Sequence, residues 1–182
     1  MNKRDKTHQS SRLLLGGGCF WCLEAVFQQV EGVIKVTSGY SGGTSENPTY
    51  QQICTGTTGH AEVVEIIYDS KALNLTTLLS IFFTIHDPTT LNRQGNDLGT
   101  QYRSVIFYQD DSELTVINEF IEKHQLTLNQ KIVTQVSIAE QFYPAEIDHH
   151  NYYRLNSSQP YCQLVVKPKL DKYVQWKENK VE

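Results

Sequence analysis

Cys19 and Cys22 stand in the stretch LLLGGGCFWCLEAVF, Leu13 to Phe27, where an apolar run meets three glycines and then a C-x-x-C pair. That spacing at the start of a helix is the arrangement of vicinal dithiol redox sites. Leu13 to Leu15 read as a short buried strand, and Gly16, Gly17 and Gly18 allow a sharp turn with positive φ. Leu23, Val26, Phe27 and Val30 then recur at helical spacing, so a helix with one buried face is predicted, closed by Gly32. Cys19 therefore falls in the first turn of that helix. Unpaired amides and the positive end of the helix dipole favour an anion there, which leans the thiol toward thiolate. A cysteine in an apolar run is most often inert packing. The glycines argue for reactivity, because a core cysteine needs no open backbone and a nucleophile that meets a substrate does.

The rest of the chain supplies elements to position this stretch. Residues 1–11 are polar and mixed in charge and read as a loose arm. Val33 to Thr37 and Ala61 to Tyr68 read as strands, the second with Glu62 at its start. Ser38 to Tyr50, Thr55 to His60 and Thr89 to Gln101 are loops by their glycines, serines and prolines. Asn74 can cap a helix whose apolar face is Leu75, Leu78, Leu79, Phe82 and Phe83, ended by Asp87-Pro88. Tyr102 to Tyr108 and Lys131 to Ala139 are further strands, with a helix over Leu114 to Gln125 between them. Tyr143 to Leu155 reads as helical, Leu164 to Val166 as extended, and a last basic helix carries Trp176. Strand and helix patterns alternate without even βαβ spacing. The predicted class is α+β: one domain, a mixed β-sheet with packed helices, plait-like.

At 182 residues the chain is long enough for a sizeable core, and its 39% hydrophobic and 20% charged content is that of an ordinary globule. A net charge of -4 argues against nucleic acid as the main partner. The basic residues near the start are followed by no apolar h-region, and Leu13 to Leu15 is too short to span a membrane. A cytoplasmic location is therefore expected, without a membrane partner. Four cysteines, Cys19, Cys22, Cys54 and Cys162, are too few for a disulfide scaffold and point to redox or catalytic use. All eleven glycines lie between Gly16 and Gly99, so the close-approach backbone, and with it most of the site, is expected in the first half.

Seven segments, taken together and in order, resemble the A-type peptide methionine sulfoxide reductases. They are GGCFW at Gly17 to Trp21, SGYSGG at Ser38 to Gly43, NPTY at Asn47 to Tyr50, TGHAE at Thr58 to Glu62, DPT at Asp87 to Thr89, NRQGND-GTQYRS at Asn92 to Ser104 and FYPAE at Phe142 to Glu146. The resemblance runs from about Leu13 to Pro168 and marks residues 12–182 as the reductase domain, with a segment from about 156 carrying Cys162. It implies that Cys19 attacks the sulfur of methionine-S-sulfoxide, free or in proteins, and is left as a sulfenic acid. A second thiol then condenses with it to a disulfide that thioredoxin, or dithiothreitol in vitro, reduces, in repair after oxidative damage. It also implies that Glu62 is the acid, Tyr50 and Tyr102 the donors to the sulfoxide oxygen, and Asp97 a supporting carboxylate. Phe20 and Trp21 would form the methyl pocket, and His149 would contact the peptide. No bound cofactor or metal is implied, and a monomer is expected.

Those roles make chemical sense. A sulfoxide oxygen leaves poorly until it gains a proton, so the site needs an acid that is neutral at working pH, and Glu62 can serve only if burial raises its pKa. Two phenols suit the oxygen and an aromatic wall suits the S-methyl. The expected resolving thiol is Cys162, with Cys22 as the alternative. Cys162, in PYCQLVV, matches the place where relatives keep a recycling cysteine, but no glycine-rich tail follows it; Cys22 stands where many relatives have glycine and offers a second route. Cys54 follows an apolar residue next to a loop, a common buried setting, and is the weakest candidate. Asp148-His149-His150 departs from the tyrosine, histidine, glutamine usual in the family, with His149 retained. A general dithiol oxidoreductase would share the C-x-x-C but need none of Tyr50, Glu62 or Tyr102. A zinc module would need four ligands, for which only Cys54, Cys162 and His149-His150 remain beyond the pair.

Overall fold

The computed structural model describes residues 9–180, and most of the expected arm therefore lies outside the described residues. The chain opens with β1 (Ser10–Gly16) and α1 (Phe20–Phe27), the strand, turn and helix of the cysteine stretch. β2 (Val33–Ser41), α2 (Tyr50–Cys54) and β3 (Ala61–Asp69) follow, then α3 (Leu75–Ile85), capped by the Asn74 carboxamide on Thr77 N-H at 2.8 Å. A small hairpin of β4 (Arg93–Gln94) and β5 (Asp97–Leu98) leads through a 3-10 turn, Thr100–Tyr102, to β6 (Val105–Tyr108). α4 (Asp111–Gln125), β7 (Gln135–Ile138), β8 (Phe142–Pro144), α5 (Tyr152–Asn156) and α6 (Lys167–Glu178) complete the order.

Six strands form one sheet in the order β7-β6-β1-β3-β2-β8. Every pairing is antiparallel except β6 with β7, which is parallel because α4 makes the crossover between them. Leu13, Leu14 and Leu15 are each fully buried although neighbours on a strand point to opposite faces. The reason is that both faces are covered. Leu13 and Leu15 join Val64, Ile66 and Ile106 under the helices, while Leu14 joins Val63, Val105, Phe107 and Phe142 on the other side. A continuous apolar run is what a strand buried on both faces requires.

The α+β class and single-domain architecture are as the sequence predicts, and the departures are local. β1 begins at Ser10, so Ser10 and Ser11, read as arm, pair with Asp69 and Tyr68. β2 continues to Ser41 because Gly39 to Ser41 pair with both β3 and β8, consuming a segment expected as loop. Tyr50 opens a short helix fixed by a Thr49-Gln52 capping box. Tyr102 ends a 3-10 turn instead of starting a strand. Tyr143 to Leu155 is not one helix. Phe142–Pro144 is a strand, Ile147–His149 a 3-10 turn, and α5 starts only after Asn151 at φ 55. The extended segment expected at Leu164 to Val166 is a π-helical turn, Cys162–Val166, that runs straight into α6. At Ser10 and Ser11, at Gly39 to Ser41 and at Phe142 to Pro144 a backbone partner from a distant segment overrode the local pattern.

Gly16 has a packing reason. A Cβ built on it would lie 2.7 Å from Val105 Cγ1 and 2.8 Å from the Glu62 carbonyl oxygen. Gly16→Ala is therefore expected to destabilise the protein by about 1–3 kcal/mol, the usual cost of overpacking. Urea unfolding with an unchanged m-value checks this.

Candidate active site

Cys19 is the residue that caps α1, with extended backbone at φ -65 and ψ 130, and only 8% of its surface is exposed. Its side chain makes no capping hydrogen bond. The helix's first amide, Phe20 N-H, donates instead to Glu62 Oε2 at 3.1 Å. Burial first, then the neighbouring Glu62 and Cys22, push the Cys19 thiol well above its usual range, and the Trp21 amide and Tyr161 hydroxyl pull it only part-way back. The lean toward thiolate expected from the helix terminus is thus reversed in the free protein. Burial of the thiol itself is the largest cause, with Glu62 second, and together they outweigh the helix terminus.

Glu62 is brought there by register. It lies opposite Tyr40 in the β2-β3 ladder and shares the parity of Val64 and Ile66, so it points to the helix face beneath α1. It is 1% exposed, and burial, aided by Asp97, raises its pKa to about 8, against the Phe20 amide, which lowers it. The carboxyl is therefore neutral at neutral pH. Tyr50 and Tyr102, both half-buried, are perturbed upward by burial and then by Glu62, and Tyr50 also feels Tyr102. The three acidic hydroxyls thus converge, each in its protonated form. Tyr102 is anchored through its carbonyl, which accepts Gly18 N-H at 3.1 Å, and Tyr50 through its amide, which donates to Glu146 Oε1 at 3.0 Å.

The aromatic wall is built from α1 and the segment after β8. Trp21 stacks on Tyr152 with ring centroids 3.6 Å apart and an interplanar angle of 4°, and its Nε1-H donates to His149 Nδ1 at 3.3 Å. An accepting Nδ1 leaves the His149 proton on Nε2, which faces Glu146 Oε2 at 3.5 Å. Burial lowers the His149 pKa, consistent with a neutral ring. Phe20 has no exposed surface; it packs behind the wall against Tyr40 and His149, and Trp21 alone of the two offers a partly exposed face.

Asp97, on β5, accepts the Tyr161 hydroxyl at 2.7 Å. Tyr161 stands edge-on to Trp21 at 5.7 Å and also acts on Cys19 and Cys22. Sequence reasoning missed Tyr161 and Glu146. Glu146 gathers Tyr40 Oη at 3.0 Å, the Tyr50 amide and His149, and its only sequence signal was its place in FYPAE. Tyr161 gave none beyond lying next to Cys162.

The other thiols divide sharply. Cys22 is fully buried one turn along α1, its amide donating to the Cys19 carbonyl at 3.1 Å, and burial raises its pKa to about 11. Cys162 is buried in the π-helical turn and, unlike Cys22, is not among the groups that act most strongly on Cys19. Cys54, expected in a buried setting, is exposed at the end of α2 and accepts the Tyr50 hydroxyl; a helix of one and a half turns has too little apolar surface to bury it. Among the described residues no group of three or more His, Cys, Asp or Glu side chains could hold a metal ion, and no helix is long and apolar enough to cross a membrane.

A family model described as "Peptide methionine sulfoxide reductase" matches residues 11–181. The chain belongs to the peptide methionine sulfoxide reductase family. This reductase is 55% identical over 157 residues to the peptide methionine sulfoxide reductase MsrA of Ruthia magnifica subsp. Calyptogena magnifica, covering 86% of this chain and 94% of that one. Its fold is similar to that of Mxr1 from Saccharomyces cerevisiae in reduced form, with a TM-score of 0.80 and 34% identity over 84% of this chain and 89% of the other. It is also similar to Mxr1 in complex with Trx2, with a TM-score of 0.57 and 25% identity over 79% and 84% of the two chains.

The raised Glu62 pKa carries a sign for stability. A carboxyl near 4.5 when unfolded and about 8 when folded binds its proton more tightly in the native state, so its contribution is full below 4.5 and is lost as pH rises through 8. Glu62→Gln removes that dependence. The melting temperature of Glu62→Gln relative to the parent is expected to rise steadily between these two values and to level off above them, as thermal melts across pH would record.

Proposed function

We propose that the enzyme reduces methionine-S-sulfoxide, free and in oxidised peptides and proteins, with Cys19 as the nucleophile, and that it acts in protein repair. The observation that carries this reading is the buried, neutral Glu62 carboxyl on the amide beside Cys19. As Cys19 Sγ attacks the sulfoxide sulfur, Glu62 gives its proton to the oxygen and takes back the one the thiol sheds. The oxygen ends on Cys19 as a sulfenic acid and the thioether leaves, so the thiol is oxidised by the two electrons the sulfoxide gains. Tyr50 and Tyr102 donate to the oxygen, and Asp97 holds the Tyr161 hydroxyl beside Trp21 and the two cysteines of α1. The S-methyl rests on Trp21, with Phe20 behind it, and His149 holds the wall from the peptide side. A pyramidal sulfur held by oxygen on one side and methyl on the other admits one epimer.

Cys22 is the better-supported resolving thiol. Residues three apart at a helix start have Cβ atoms about 5–6 Å apart, within reach of a disulfide after a small adjustment. Cys162 is as fully buried as Cys22 but lies on a different element, the π-helical turn continuous with α6. Thioredoxin is the proposed reductant, a reading supported by the yeast relative solved in complex with Trx2. The enzyme needs no bound cofactor, and a cytoplasmic monomer is the working form.

A single-turnover experiment tests the scheme: reduced protein, racemic methionine sulfoxide and no reductant. About one methionine per chain, with the R epimer left over, is expected. Glu62→Gln should slow this burst by about 100-fold or more, the usual worth of a general acid. A burst unchanged in Glu62→Gln, or none from folded parent protein, overturns the reading. Peptide mapping of the product should give a Cys19-Cys22 link, and Cys162→Ser should form it normally.

A further inference from the structure

The β4-β5 hairpin that carries Asp97 stands apart from the six-stranded sheet, and its two strands pair only with each other: Arg93 lies opposite Leu98 and Gln94 opposite Asp97. Among the described residues, only two members of this hairpin hydrogen-bond beyond residues 89–99. Asp97 accepts the Tyr161 hydroxyl at 2.7 Å. Its cross-strand partner Gln94 accepts Asp87 N-H at 2.7 Å and donates to the Asp87 carbonyl at 2.9 Å, as a neighbouring strand would. Asp87 is a firm anchor, because it follows α3 and its own carboxylate accepts the Thr89 amide at 2.8 Å and the Thr89 hydroxyl at 2.6 Å. The stem of Gln94, only 8% exposed, lies under the glycine turn. A Cβ built on Gly18 would meet Gln94 Cγ at 2.8 Å and Gln94 Cβ at 2.9 Å. One side chain thus touches the residue before Cys19, ties the hairpin to the end of α3 and stands opposite Asp97.

We propose that Gln94 is a positioning residue for the Asp97-Tyr161 pair, its two bonds to Asp87 fixing how far the hairpin carries Asp97 toward α1. The proposal rests on the reaction set out above, in which Asp97 holds Tyr161 beside Trp21 and the cysteines of α1. Of the NRQGND motif that reaction uses only Asp97. A shift of about 1 Å in such a contact can cost about 100-fold in rate.

Glutamine suits this position because Asp87 presents one backbone donor and one backbone acceptor, and a carboxamide answers both without a charge. A carboxylate in its place could accept from the amide but not donate to the carbonyl, and it would face Asp97 across the ladder with the same sign. A thioether of similar length would keep the packing under Gly18 and make neither bond. These cases separate the bonds of Gln94 from its bulk. The charged and titratable groups lining the cavities at Gln94 are His86 and Asp87 at the end of α3, His124 on α4, Asp97 on the hairpin, and Lys169 and Lys172 on α6. They set where a carboxyl at this position would titrate: burial and the two aspartates raise its pKa, and the lysines lower it.

The test is the single-turnover methionine burst of the full chain, measured for the parent, Gln94→Met, Gln94→Glu, Tyr161→Phe and the double variant Gln94→Met with Tyr161→Phe. Tyr161→Phe is expected to slow the burst and Gln94→Met to slow it by about 10-fold or more. The double variant should fall within about twofold of the slower single one, because the two changes remove one arrangement. Gln94→Glu is followed as a ratio to the parent from about pH 5 to about pH 8, the span over which a buried carboxyl changes charge. Protonated, the carboxyl has a donor and an acceptor and restores both bonds. The ratio is therefore expected to rise toward unity at the acid end and to fall to that of Gln94→Met at the alkaline end, a rise that a change of bulk would not produce. A Gln94→Met burst equal to the parent's overturns the proposal, as does a double variant whose losses multiply, or a Gln94→Glu ratio that pH leaves unchanged. If Gln94→Met does not fold, the pH ratio alone decides. No burst from folded parent, or a Tyr161→Phe burst equal to the parent's, removes instead the reading on which the proposal rests.

Discussion

The Phe20 amide donating to Glu62 joins the first turn of α1 to the second residue of β3, and much of the site depends on that contact. It is a bond between a helix terminus and a group that burial keeps neutral at neutral pH, so it fixes position without requiring a buried charge. The carboxyl and the thiol are in this way made interdependent: Glu62 stands beside a thiol whose ionisation its own charge would oppose.

Around this pair the molecule arranges rigid supports of different kinds. The sheet fixes Glu62 by alternation, with Leu14 and Val63 sealing the far face. The aromatic wall is held by stacking and by the Trp21 to His149 hydrogen bond, with Glu146 3.5 Å beyond His149 and itself accepting from Tyr40 and the Tyr50 amide. Because Glu146 receives groups from β2, α2 and the turn after β8, a single carboxylate sets the relative position of three segments that the chain order separates. Tyr161 and Asp97 close the opposite side, next to both cysteines of α1.

Two thiols a turn apart on one helix can share an electrostatic environment that a thiol from a distant segment cannot. Burial raises both, Glu62 disfavours the charge of both, and Tyr161 favours it in both.

Much of this was legible in the residues alone. The strand, glycine turn and helix around Cys19, the apolar face of α3 capped by Asn74, and the α+β class follow from periodicity, capping and β-branching, which act over a few residues. The ordered motifs also led to the expectation that Glu62, Tyr50, Tyr102 and Asp97 lie together, and the fold brings them close enough to act on one another's charge. What the chain order could not contain was anything set by contacts between distant segments. The segment from Tyr143 to Leu155 is helical in pattern, yet pairing with β2 makes its start a strand. Cys54 has the neighbours of a buried residue and is exposed. The Cys19 thiol was misjudged for the same reason. A helix terminus is readable from sequence, but the carboxyl that meets it comes from a strand forty-two residues away. Desolvation and charge pairing are properties of that tertiary meeting, and only the fold decides them.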